Sequence, residues 1–418
     1  MKRYLFTLLA LIAFCSASAQ TRKVDTLRLT FQQAEDRFLK TNLALIAKHY
    51  DIDNANAQII TAKLFSNPDF SFNNGIYAND ASSGPAYKEQ SFSISQLFTT
   101  AGKRNKNIQL AKLGVSQSRE QFFDLLRTLK FSLRSDLYTV YYQAESARVY
   151  DDEINALAKT LTAYKEQYAK GNIAQKELLR IQAQLYSLQT EYVSLQASID
   201  TTESQIKILL HMKPDTFVMA TPPAEASDKL VAVNYQRLLD SAINNRADLR
   251  LAKVTVDYNN MNLALQKATA VPDFSLSVNY DRLGGYGTNF LGAGIEFNLP
   301  FFNRNQGNIK AAKIAIDQSK VQLSSAQEQV ESDVAVSYKV ALDQRKLFTS
   351  FDPTFKTDFS HLINEVYINY QKRNIGLLEF LDYYDSYKTN TLLLNNLKMS
   401  LALSLEQLNY VTGTAIFN

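Results

Sequence analysis

Residues 102–169 contain no proline and a single interior glycine, Gly114, while apolar residues recur as Leu125, Leu129, Leu133, Leu137, Val140 and Tyr141. Spacings of three and four place these side chains on one face of an α-helix. At 1.5 Å per residue such a helix reaches about 100 Å, several times the width of a small domain. It is too long to bury itself in a globule, so neighbours must pack along its length. The residues that follow suit close side-by-side packing, because Gln182-Ala183-Gln184 and Ser194-Leu195-Gln196-Ala197-Ser198 are small or polar rather than densely charged. Periodicity alone leaves an ordinary antiparallel bundle equally open.

The long run occurs twice, because the chain is a tandem duplication. Asn67-Pro68-Asp69-Phe70-Ser71-Phe72 returns as Val271-Pro272-Asp273-Phe274-Ser275-Leu276, and Tyr168-Ala169-Lys170-Gly171-Asn172-Ile173 returns as Tyr370-Gln371-Lys372-Arg373-Asn374-Ile375. Glu177-Leu178-Leu179 matches Glu379-Phe380-Leu381. Each half reads helix, two strands, very long helix, break, helix. The expected repeats are 20–210 and 234–418, with breaks near 171–175 and 373–376. Between them, 211–233 carries Pro214, Pro222 and Pro223 and is expected to be a linker or equatorial segment. One helix is expected over about 30–64 and a second long one over about 306–372, kinked or broken at Pro353.

The first nineteen residues read as an export signal: Lys2-Arg3, an apolar run, then Ser16-Ala17-Ser18-Ala19 before Gln20. No later stretch is apolar enough for a membrane-spanning helix, so a membrane crossing would have to be made by strands. Four segments alternate with a period of two: 69–77, 91–98, 273–281 and 290–299. In the third, Phe274, Leu276, Val278 and Tyr280 face one way and Asp273, Ser275, Ser277 and Asn279 the other. Strands of nine to eleven residues with one apolar face suit an outer membrane, and a soluble sheet with one buried face is the alternative source of the same pattern. Four strands cannot close a barrel, and open edges are not tolerated in lipid, so several chains must share one. The loops 79–87 and 282–289, with Gly84-Pro85 and Gly284-Gly285-Tyr286-Gly287, read as extracellular turns.

Composition excludes several function classes. Three His and one Cys are too few for a His/Cys metal centre, a disulfide framework or a thiol enzyme. His49, His211 and His361 are scattered, and no nucleophile stands with a base, so no enzyme is expected and no cofactor. A net charge of +4, part of it in the leader, gives no case for nucleic acid.

The duplicated Pro-Asp-Phe-Ser strand starts carry a likeness, as do Ser95-Gln96-Leu97-Phe98 followed by Gly102-Lys103-Arg104 and the string Leu299-Pro300-Phe301-Phe302-Asn303-Arg304-Asn305-Gln306-Gly307-Asn308-Ile309. Over essentially the whole mature chain this resembles the TolC family of outer-membrane efflux channels, and the last string resembles its heavy-metal branch, the CusC and CzcC type. The resemblance implies a mainly α fold with a membrane β-barrel portion. It implies a homotrimer whose chains share a twelve-stranded barrel continuous with a periplasmic coiled-coil α-barrel. It also implies partners: a periplasmic adaptor, an inner-membrane pump of the RND type, and outer-membrane lipid.

In that family the motif around Gly171 and Gly376 is the periplasmic tip. Carried over residue by residue, the resemblance puts Glu379 and Asp382 at the gate's acidic ring, with Glu379 where an Asp is familiar, and Glu177 at the equivalent place in the first repeat. Asp385 lies a turn farther on, and the spacing of three puts Glu379, Asp382 and Asp385 on one helix face. A solvated helix face would look the same. Lys170, Gly171, Asn172, Lys176, Lys372, Arg373, Asn374 and Gly376 would meet the adaptor. Lys103, Arg104, Lys106, Arg304 and Lys310 follow strands at the expected membrane rim, where lipid phosphate or plain solvation accounts for them equally. The expected function is a passive efflux duct for heavy-metal cations or small toxic compounds. A periplasmic coiled-coil scaffold and a type I protein-secretion duct are the alternatives.

Overall fold

The computed structural model describes residues 25–75, 90–222, 227–284, 287–352 and 354–417. The stretch expected to be a leader, the 79–87 loop, the end of the expected 69–77 strand, residues 285 and 286 of the 282–289 turn, and Pro353 lie outside them. The first repeat runs β1 (Asp25–Thr30), α1 (Phe31–Thr41), α2 (Leu43–Lys63), β2 (Asp69–Asn74), β3 (Gln90–Phe98), α3 (Lys103–Ala169) and α4 (Gln175–Leu209). After β4 (Thr216–Thr221) and a 3-10 turn (Ser227–Ala232), the second runs α5 (Tyr235–Asn245), α6 (Ala247–Thr269), β5 (Phe274–Gly284), β6 (Gly287–Phe297), α7 (Gln306–Ser350), α8 (Phe355–Gln371) and α9 (Leu377–Thr412). With 67 residues, α3 is about 100 Å long.

Two features depart from the expected layout. The helix expected over 30–64 is two, broken at Asn42, whose extended backbone ends α1 while its side chain accepts from Leu45 N at 3.0 Å and donates to Leu209 O at 2.9 Å. The second repeat breaks the same way at Arg246, with nearly the same backbone angles. The stretch 211–233 is more than a connection: β4 pairs in parallel with β1, from Asp25 opposite Thr216 to Thr30 opposite Thr221.

The other sheet is antiparallel in the order β2-β3-β5-β6. Helices continue each strand: α2 enters β2, α3 leaves β3, α6 enters β5 and α7 leaves β6. They pack in the same order, α2 on α3, α3 on α6, α6 on α7. One chain is therefore a single-layer wall, four strands above four helices. Among the described residues β2 and β6 pair on one side only.

The register sorts the two faces of this sheet. Phe72, Phe92, Tyr280 and Leu291 form one cross-strand row, Phe70, Ile94, Val278 and Ala293 the next, and Phe98, Phe274 and Phe297 a third. On the opposite face stand Ser71, Ser93, Asn279 and Gly292, then Asp69, Ser95, Ser277 and Gly294. The apolar rows are uncovered; Phe70 is 68% and Leu291 70% exposed. Stacked rings, such as Phe72 on Phe92 at 4.8 Å, fix the register on this face.

Three cores hold the helices. The first gathers Phe31, Phe38, Leu133, Leu137, Ile206 and Val218 around the β1–β4 pair, and the second Leu230, Leu238, Leu249, Val334 and Leu408 at the matching place in the second repeat. Each fully buried leucine contributes about 1.5–3 kcal/mol. Between these equatorial cores, buried Arg134 of α3 donates to Glu35 of α1 and Glu406 of α9, both at 2.5 Å, tying one repeat to the other. The third core, Leu157, Ile181, Leu188, Val366 and Phe380, lies toward the far ends of α3, α4, α8 and α9.

Candidate functional site

Two helical hairpins, α3–α4 and α8–α9, end in turns of the same construction. Asn172 N donates to Gln167 O and Asn374 N to Asn369 O, both at 2.9 Å, and the preceding residue is left-handed in each. The Asn side chains repeat the pattern, onto Gln167 Oε1 at 2.8 Å and Asn369 Oδ1 at 3.0 Å. This is the six-to-one closure of a helix C-terminus, which needs one residue at positive φ. Gly171 supplies it at +75° without steric cost, whereas Arg373 takes it at +62°. Lys170, Asn172, Lys176, Lys372, Asn374 and Gly376 are also exposed at these turns.

Glu177 and Glu379 are the third residues of α4 and α9, within the first turn, where the helix dipole favours a carboxylate. Glu379 and Asp382 point to solvent and form no salt bridge among the described residues. Asp385 differs from them: Lys388 of the same helix lies 3.2 Å away, so part of its charge is already balanced. Glu177 is half-buried and lines a cavity of about 620 Å³ between the hairpins, with Tyr164, Tyr370 and Arg373.

Aromatic packing closes the base of this cavity. The hydroxyls of Tyr164 and Tyr370 bond to each other across the two hairpins. The Tyr370 ring lies flat on fully buried Phe380 at 4.1 Å, and Phe380 meets Tyr384 at 4.5 Å. Burial, then the Tyr164 bond, pushes the Tyr370 hydroxyl well above the usual tyrosine range, so it stays neutral and able to donate. Sequence reasoning did not single out Tyr164, Tyr370 or Phe380, although the aromatic spacing in 367–387 was the available signal.

At the junction of sheet and helices, the rim cations divide. Lys103 is buried, donating to Val271 O at 2.6 Å and Asp273 Oδ1 at 2.7 Å, and so staples α3 to β5. Arg104 donates twice to Lys63 O and stacks on Phe65 at 4.0 Å, and Lys106 closes on Ala101 O at 2.7 Å. Arg304 and Lys310 remain exposed, beside Phe301 and the almost wholly exposed Phe302. Among the described residues no group of three or more His, Cys, Asp or Glu could hold a metal ion.

Residues 238–348 match the family model for outer membrane efflux proteins. The chain is 23% identical over 396 residues to the toxin and drug export protein A of Aggregatibacter actinomycetemcomitans, covering 82% of this chain and 84% of that one. It is 19% identical over 287 residues to the cobalt-zinc-cadmium resistance protein CzcC of Cupriavidus metallidurans, covering 68% and 66%. Its fold is similar to the crystal structure of the CmeC outer membrane channel of Campylobacter jejuni, with a TM-score of 0.73 at 15% identity over 92% of this chain and 86% of the other. The family model thus matches part of the second repeat, and from sheet to hairpin tips the fold is similar to that of a solved outer membrane channel, while the sequence is similar to export and resistance proteins over most of its length.

Proposed function

We propose that three copies of this chain form a passive conduit through the outer membrane and into the periplasm. The observation that carries it is the wall itself: four strands with one uncovered apolar face, continuous with four helices in the same order, and open at both edges among the described residues. Pairing β2 of one copy with β6 of the next removes every open edge and turns the serine- and asparagine-lined face inward. Phe301 and Phe302 then sit at the interface, where aromatic residues are favoured. No chemistry is performed by the chain.

At the far end, threefold symmetry makes Glu379 and Asp382 into rings of carboxylates that favour cations in a narrow passage. Asp385, held by Lys388, contributes less. The exposed turn residues Lys170, Gly171, Asn172, Lys176, Lys372, Arg373, Asn374 and Gly376 meet a periplasmic adaptor, which links the conduit to an inner-membrane pump of the RND type. Cargo is chosen by that pump. The names of the relatives point to toxins and drugs or to heavy-metal cations, and the conduit passes its cargo without binding it.

Lysine substitution tests the orientation of the sheet. Val278→Lys, on the apolar face near the middle of β5, costs about 2–4 kcal/mol at the bilayer midplane and should abolish heat-resistant trimers in outer-membrane fractions. Ser93→Lys, on the other face, should leave them intact. Equal tolerance of both would refute the assignment.

A further inference from the structure

One carboxyl group takes no part in the tip or the sheet. Glu153 lies on α3, 18 residues before Gly171 and thus about 27 Å from the turn along the helix. It is 4% exposed, and its Oε1 is buried without a hydrogen-bond partner. Around it, Lys388 of α9 bonds to Glu191 Oε2 of α4 at 3.1 Å and lies 3.2 Å from Asp385 Oδ1 of α9. Tyr150, one turn back on α3, donates to Glu191 Oε2 at 3.2 Å. Tyr384 of α9 also faces the group, and α8 reaches the cluster through Tyr367, which interacts with Tyr384.

These contacts join the two hairpins, and they contain one ammonium for three carboxyl groups. Lys388 is already shared by Glu191 and Asp385. Burial pushes the Glu153 carboxyl up to about 8, with Lys388 opposing and Asp385 and Glu191 adding to the rise. Neutral, it packs at the interface at the cost of one unpartnered oxygen, far less than the cost of a buried charge. Ionised, Glu153 becomes a third negative charge in the cluster and the one that is buried away from water, whereas Glu191 and Asp385 reach the surface; parting α9 from α3 and α4 hydrates it.

We propose that Glu153 is the pH-sensitive element of a clamp between the α3–α4 and α8–α9 hairpins, closed when the carboxyl is protonated and loosened when it ionises. The clamp would regulate the conduit proposed above and rests on that reading only for its effect on conductance. The parted state hydrates Glu153 and returns it toward its ordinary value of 4.5, so the parted state binds fewer protons. Closure is therefore strongest at acid pH and weakens as pH rises from about 4.5 to about 8, by at most about tenfold per unit, and is level above that.

The experiment uses full-length trimers in detergent and in planar bilayers. Nitroxide labels at Lys165→Cys on α3 and Asn364→Cys on α8, both exposed, report the separation of the hairpins. From pH 5.5 to 8.5 the population with a longer interlabel distance should rise at least about tenfold, with open probability following it. Glu153→Gln, neutral at every pH and the same size, should hold the acid-pH distances throughout. Distances independent of pH in the unsubstituted protein, or a Glu153→Gln protein that titrates as the unsubstituted one does, would overturn the clamp. A protein that never conducts, yet whose distances titrate and are frozen by Glu153→Gln, would refute the conduit and leave the clamp standing.

Discussion

Replacing Phe380 by alanine should unfasten the hairpin tip without dissolving the protein. The ring is fully buried, stacked on Tyr370 at 4.1 Å and against Tyr384 at 4.5 Å, and belongs to a core separate from the two at the equator. Truncating a buried phenylalanine costs about 3–5 kcal/mol, depending on how far the site collapses. Ile375 and Leu377 are near enough to fill part of the space, which favours the lower figure. At about 1.4 kcal/mol per factor of ten, a 3 kcal/mol loss raises the population of the locally opened tip about a hundredfold. Lys372 and Arg373 stand in the turn that Phe380 secures, so trypsin reads that population directly when opening and closing are fast relative to cleavage. The first-order nicking rate at 372–373 should rise about a hundredfold in Phe380→Ala and less than tenfold in Phe380→Leu, with trimers intact in both. Nicking of Phe380→Ala within about threefold of the unsubstituted protein would mean that the aromatic stack does not hold the tip.

Removing Arg134 as Arg134→Met strands two buried carboxylates and should cost about 3 kcal/mol in helix melting in detergent, since Lys130 still serves Glu35 and Asn409 serves Glu406. Arg134→Met/Glu406→Gln should regain part of the loss. Burial alone would raise the Glu35 carboxyl, but bonds from Lys130 and Arg134 hold it below its ordinary 4.5. The contribution of this cluster is therefore complete above about pH 4.5 and fades as pH falls through the lowered value, visible as acid-dependent melting that Glu35→Gln removes. In the turns, Gly171→Val should cost about 1–2 kcal/mol and Arg373→Gly should gain up to about 1 kcal/mol, because one imposes and the other relieves a side chain at positive φ. Amide exchange at Asn172 and Asn374 measures both.

Local signals carried much of this molecule. The absence of proline over 102–169 marks α3, and the period-two runs mark the strands with the apolar faces that the register later aligns. The duplicated Lys-Gly-Asn and Lys-Arg-Asn strings mark two turns of one geometry, although nothing in Arg373 announces that it occupies the glycine's left-handed position. What stayed hidden depends on partners far along the chain. β1 has only six residues, and its partner lies about 190 positions away, so neither strand is distinct until the first equatorial core exists. Asn42 is an ordinary helix-surface residue by pattern, and its cap on Leu45 N and its bond to Leu209 O exist only once α1, α2 and α4 have met. The pairing of Asp385 with Lys388, and the isolation of Glu153 beside them, arise where α3, α4 and α9 meet. The acids of the tip are legible as a periodicity, whereas the difference between solvated Glu379 and balanced Asp385 is a property of the packing.

Ion flow through the purified protein is the most direct test of the central proposal. In planar bilayers, trimers should give discrete, cation-selective openings, and Glu379→Gln/Asp382→Asn should reduce the selectivity while leaving the trimer and its insertion unchanged. A monomer that stays in solution without detergent and never inserts would contradict the conduit.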